Sequence, residues 1–88
     1  MNLALVEERL LRALTQAQGR LPPEQLADMA SLVRAGEPGV SLENFCTQLE
    51  EYDVAIPQSL AVELKDIGAA MGMEMPRWID ERASTEAR

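Results

Sequence analysis

Apolar residues in this chain recur at three- and four-residue steps, and glycine or proline interrupts every such run within about four helical turns. That combination leaves little choice of architecture. Each run makes an amphipathic helix too short to be stable alone, so the helices must bury their stripes on one another. Leu3, Val6, Leu10, Leu14 and Ala17 predict a first helix over 3–18, with Gly19 just past its end. Leu21-Pro22-Pro23 starts a second over 23–34, striped by Leu26, Met29, Ala30 and Val33 and closed by Gly36. The segment Gly36-Glu37-Pro38-Gly39 reads as a turn and Ser41 as the N-cap of a third helix over 41–52. Leu42, Phe45, Cys46 and Leu49 are its core stripe. Pro57 opens a fourth helix over 57–71, in which Leu60, Leu64, Ile67 and Met71 are buried. Ala61 and Gly68 admit a close neighbour, and Glu63, Lys65 and Asp66 stay wet. A short fifth helix over 76–83 folds Trp78 and Ile79 back, and Ser84 to Arg88 fray. No strand-like alternation is visible. The expected fold is all-α: a single domain over 1–88, a compact bundle of four main helices with a short fifth at the C-terminal end.

Only Phe45, Tyr52 and Trp78 are aromatic, so aliphatic side chains and methionine must fill the core. The formal charge is −7 and the pI about 4.4. Such a surface repels phosphates, so direct nucleic-acid binding is not expected, nor is binding to anionic membranes. Nor does any run approach the roughly 20 apolar residues of a membrane helix. No signal peptide is visible, which sets a cytoplasmic expectation. Basic protein surfaces are the favoured partners.

Catalytic chemistry is poorly provided for. There is no His, so the commonest general base is missing, and Cys46 has no imidazole to pair with. Its place between Phe45 and Leu49 makes it a core thiol. No calcium loop and no glycine-rich phosphate loop is present, and no cofactor or metal is expected. The chain reads as a binding protein, not an enzyme.

One side of the third helix stands out by its charge. Between Arg34 and Lys65 the chain has no Lys or Arg but six acids, Glu37, Glu43, Glu50, Glu51, Asp53 and Glu63. Glu43, Thr47, Glu50 and Glu51 share a helical side that flanks the core stripe, and Glu37 and Asp53 extend it at either end, with Tyr52 between. Acidic runs also serve plain solubility. Another acidic helical class, the acyl carrier proteins, attaches its arm to a serine within Asp-Ser-Leu. Gln58-Ser59-Leu60 keeps Ser-Leu and lacks the acid.

Gly36-Glu37-Pro38-Gly39, then Leu42-Glu43-Asn44-Phe45-Cys46-Thr47-Gln48-Leu49 and Glu51-Tyr52-Asp53, resemble the central segment of the MafI family of small immunity proteins. These are relatives of the immunity proteins of contact-dependent growth inhibition. Ile67-Gly68 and Ala70-Met71-Gly72-Met73 are similar to the family's later helix, so the likeness covers roughly residues 21–73. The resemblance implies a cytoplasmic helical protein that binds and neutralises a cognate toxin domain. Such toxins are often nucleases, whose basic substrate surface an acidic inhibitor can occupy. The expected toxin-binding residues are Glu37, Glu43, Thr47, Glu50, Glu51, Tyr52 and Asp53. The expected state is a monomer, or a weak homodimer through Met73, Met75 and Trp78.

Overall fold

The structure, a computed structural model, describes residues 1–84. Asn2 starts α1 (Leu3–Gln16): its side-chain oxygen accepts the Leu5 N–H at 2.8 Å, covering an amide that a helix start leaves open. Val6, Leu10, Ala13 and Leu14 form the buried stripe. Leu3, expected on it, is 58% exposed, so burial begins one turn later. Nor does α1 reach residue 18. Ala17 caps it, and the chain turns through Gly19 and Arg20 so that Gln18 bridges Leu21. Gly19, at φ +83°, turns the chain out of the helical path, and the Arg20 and Leu21 N–H groups both donate to the Ala17 carbonyl.

α2 (Pro23–Arg34) runs over the expected residues, with Pro23 in its first position. Gly36, at φ +83°, closes it: its N–H donates to the Val33 carbonyl at 3.0 Å and the Glu37 N–H to that of Leu32 at 2.9 Å. α3 (Pro38–Glu51) then begins at once. Two expectations are corrected here. Gly36–Gly39 is not a separate turn, since its first half ends α2 and its second half starts α3. Ser41 is not a cap but lies fully buried inside α3, its hydroxyl donating to the Met29 carbonyl at 2.8 Å. The cause is Pro38, whose ring sets the first helical φ three residues ahead of Ser41 and so carries the hydroxyl beneath α2.

α3 ends as α2 does. Asp53 takes the left-handed conformation at φ +55°, and the Val54 N–H reaches back to the Leu49 carbonyl at 2.9 Å. Two residues on, β1 (Ile56–Pro57) leads into α4 (Gln58–Ala70), for which Pro57 is the cap and not the first helical residue. α5 (Trp78–Arg82) is shorter than the expected 76–83: it starts two residues later, with Arg77 as its cap, and ends one earlier, where Ala83 leaves the helix into β2 (Ala83–Ser84). β2 pairs in parallel with β1, Ile56 opposite Ala83. Strands of two residues carry no alternation long enough to read. Ser84 is thus paired, and the rest of the segment expected to fray, residues 85–88, lies outside the described residues.

α1 lies against α2, α3 and α4, while α3 packs mainly on α2. Leu10, Leu42, Phe45, Leu49, Leu60, Leu64, Ile67 and Ile79 are all fully buried between them, together with Met29 and Val33 of α2, so the four main stripes and the short fifth helix share one core. Glu63 does not stay wet. It grips the Arg9 guanidinium of α1 with both oxygens, at 2.6 and 2.7 Å, and Asp66 stands 3.7 Å from the same group. The hydrogen bonds from Arg9 hold the Glu63 carboxyl below its usual range, partial burial works against them, and the Arg9 charge adds to the lowering. No helix among the described residues is long and apolar enough to cross a membrane.

Candidate protein-docking groove

The helical period decides what α3 presents to solvent. With Leu42, Phe45, Cys46 and Leu49 turned inward, Glu43, Thr47 and Glu50 fall on the neighbouring exposed side. What faces them comes from the end of α4. Gly72, at φ +69°, reverses the chain there, and the Met73 N–H donates to the Gly68 carbonyl at 2.8 Å. Residues 73–77 then return as a strap, held by two methionines. Met75 lies directly on Gly68, where a Cβ would sit 2.7 Å from the Met75 Cγ. The close neighbour that Gly68 admits is therefore this side chain and not another helix. Met73 places its sulfur 3.8 Å from the Cβ position of Gly39 on α3.

Strap and α3 enclose a groove of about 510 Å³. Glu43, Thr47 and Glu50 form one wall, Met73, Glu74 and Met75 the other, and Trp78 also lines it. A shallower hollow of about 410 Å³ continues it past the start of α3, between Glu37, Val40 and Met71. Glu43 and Met73 border both, so the two make one trough. Met73, Met75 and Trp78, expected as an exposed patch, are half-buried and packed against the core.

Not all of the expected site residues meet here. Glu43, Thr47 and Glu50 do, and Glu37 joins through the adjoining hollow. Glu51 is one residue beyond Glu50, about 100° further round the helix, and does not line the groove. Tyr52 caps α3 and is half exposed. Asp53 is paired with Arg82, whose guanidinium also stands 5.6 Å from the Trp78 ring centre. Glu74 is the member that the sequence reading missed. Gly72 and Pro76 mark its segment as irregular, but nothing in their spacing gives the direction in which the strap returns.

Charge is distributed unevenly around these elements. Glu43, Glu50 and Glu74 line the groove with no Lys or Arg among its walls, and no cation of the described residues pairs with them. Four cations are engaged elsewhere: Arg9 with Glu63 and Asp66, Arg12 with Glu8, Lys65 with Asp80 and Arg82 with Asp53. Arg20 donates to the Ala55 carbonyl at 2.8 Å. Arg77, the last residue of the strap, is exposed and does not line the groove.

Cys46 lies at the base of the groove, 5% exposed, and burial pushes its thiol up to about 12. It is protonated at neutral pH and offers no thiolate for attack. The groove thus combines carboxylates with methionine, tryptophan and a neutral thiol, groups suited to holding an apolar side chain flanked by cations. No family model, curated protein or solved structure matches the chain.

Proposed function

We propose that this chain is an immunity protein that binds a cognate toxin domain of a contact-dependent or related polymorphic system and neutralises it by covering its basic substrate surface. The resemblance to the MafI family suggested the class. The observation that carries the reading is the set of carboxylates, Glu43, Glu50 and Glu74, that have no cation partner among the described residues and stand around an apolar floor, while Arg9, Arg12, Lys65 and Arg82 are held in internal pairs. A nuclease presents cations where it holds phosphates, and a surface of this kind competes for them. The inhibitor acts in the cytoplasm, needs no cofactor and performs no turnover.

This reading expects a toxin domain encoded beside this chain, and the test is co-expression with it. Cells should survive toxin induction with this chain and die without it, and the two proteins should co-purify. Survival of the control, or failure to co-purify, sinks the reading. A carrier function has one observation in its favour: Ser59 is exposed in the first turn of α4, where an arm is accessible. Intact mass after incubation with coenzyme A and a phosphopantetheinyl transferase settles that alternative by the presence or absence of the added arm.

A further inference from the structure

We infer that the trough between α3 and the 73–77 strap seats a basic amphipathic helix of the partner, its apolar stripe against Met73, Met75 and Trp78 and its Lys or Arg side chains against Glu43, Glu50 and Glu74. The inference rests on the toxin-inhibitor reading in taking the partner to be a protein, and adds what that protein presents. Three features of the trough select this occupant. The first is length. Glu37 and Glu50 bound it along α3, thirteen residues apart, a span of roughly 20 Å, which matches about four turns of an incoming helix. The second is the character of the floor. Two half-buried methionines can rearrange around an apolar side chain, a property that suits grooves receiving helices. The third is charge on both walls, Glu43 and Glu50 on α3 and Glu74 on the strap, which favours a segment with cations on both flanks of one apolar stripe.

The molecule holds a contrasting hollow. Between α1 and α2 a space of about 520 Å³ is lined by Leu11, Leu14, Leu26 and Ala30, and the single charged residue in its lining is Arg34. It offers a space of similar volume, more apolar in its lining and with the opposite charge. Electrostatics favours the α3–strap trough for a cationic segment, since Arg34 repels it from the other hollow.

The test uses a synthetic 16-residue peptide of Leu and Lys, with Leu at i, i+3, i+4 and i+7, and a second peptide of the same composition with the stripe scrambled. Trp78 is the chain's single tryptophan and reports directly on the groove. The striped peptide should give saturable binding with a shift in Trp78 emission. Amide shifts in an NMR titration should cluster at Glu43, Thr47, Glu50 and Met73–Trp78. The scrambled peptide should bind at least tenfold more weakly. Met75→Glu should weaken the striped peptide tenfold or more, and so should Glu43→Lys with Glu50→Lys, a surface pair that leaves the core intact. Equal binding of both peptides, or shifts centred on Leu11 and Leu26, would overturn the proposal. No toxin enters this experiment, so its failure leaves the inhibitor reading standing. Conversely, a chain that takes the striped peptide but protects no cell overturns the inhibitor reading alone.

Discussion

The α1–α4 face and the α3–strap face use the same residue types in opposite ways. On the first, Glu63 and Asp66 of α4 meet Arg9 of α1 and Lys65 of α4 meets Asp80 of α5, so these charges hold helices to one another, while Glu8 pairs with Arg12 within α1. On the second, Glu43, Glu50 and Glu74 meet none among the described residues and surround an apolar floor. The difference separates charge that is structural from charge available to a partner. Net charge alone would have merged the two.

The largest effect should come from the residue both faces depend on. Leu49 is fully buried behind the acidic side of α3. Leu49→Asp places an unpaired carboxylate in the core, at a cost of several kcal/mol against a total stability of about 5–10. The helical far-UV spectrum should be lost at 25 °C, and a cooperative melt like the parent's would refute the packing described. Cys46 tests the same floor without altering it. A thiol reagent should label it at least about 100-fold more slowly in native buffer than in denaturant, since the folded thiol is buried and protonated. Rapid native labelling would mean that the groove floor is open.

The two faces should also respond to pH in different ways. Glu63 has its folded pKa lowered by Arg9, so its contribution is whole above the ordinary Glu value of about 4.3 and is lost as pH falls through the folded value. Glu63→Gln should flatten the acid limb of stability and lower the melting temperature by a few degrees at most, because the pair is partly solvent-screened. Cys46 works in the other direction. Its raised folded pKa leaves its contribution whole below about 8.5 and erodes it as pH rises toward 12, so Cys46→Ala should reduce the alkaline decline. An unchanged acid limb in Glu63→Gln would show that the Arg9 pair is not what ties α1 to α4.

Much of this was legible in the sequence, and for identifiable reasons. The α3 stripe was readable because Leu42, Phe45, Cys46 and Leu49 follow one period without interruption, and all four are buried. The start of α3 was not, because Ser41 satisfies the cap rule while Pro38 satisfies an earlier one; the helix starts at Pro38, and the buried Ser41 hydroxyl finds its partner in the Met29 carbonyl of α2. Half of the groove was readable for the same periodic reason. Its other wall depends on Gly72 reversing the chain and on Met75 settling over Gly68, a contact between side chain and backbone that no local pattern encodes. Glu63 shows the same limit. As a sequence feature it belonged with the acidic run, and only the placement of Arg9 opposite it made it structural.

The central claim is that the α3–strap carboxylates act outward while those of α1 and α4 act inward, and association kinetics separate the two. The measurement is the association rate constant with the toxin domain proposed as its partner, at low and physiological ionic strength. It compares the parent, the Glu43→Lys, Glu50→Lys, Glu74→Lys triple variant and the Glu63→Gln variant. The triple variant should keep the parent's helical spectrum and associate tenfold or more slowly at low salt, with the gap narrowing as salt screens the charges. Glu63→Gln should associate at the parental rate. A triple variant that associates as fast as the parent at low ionic strength, or a Glu63→Gln variant slowed as much as the triple, would contradict the assignment of these two faces.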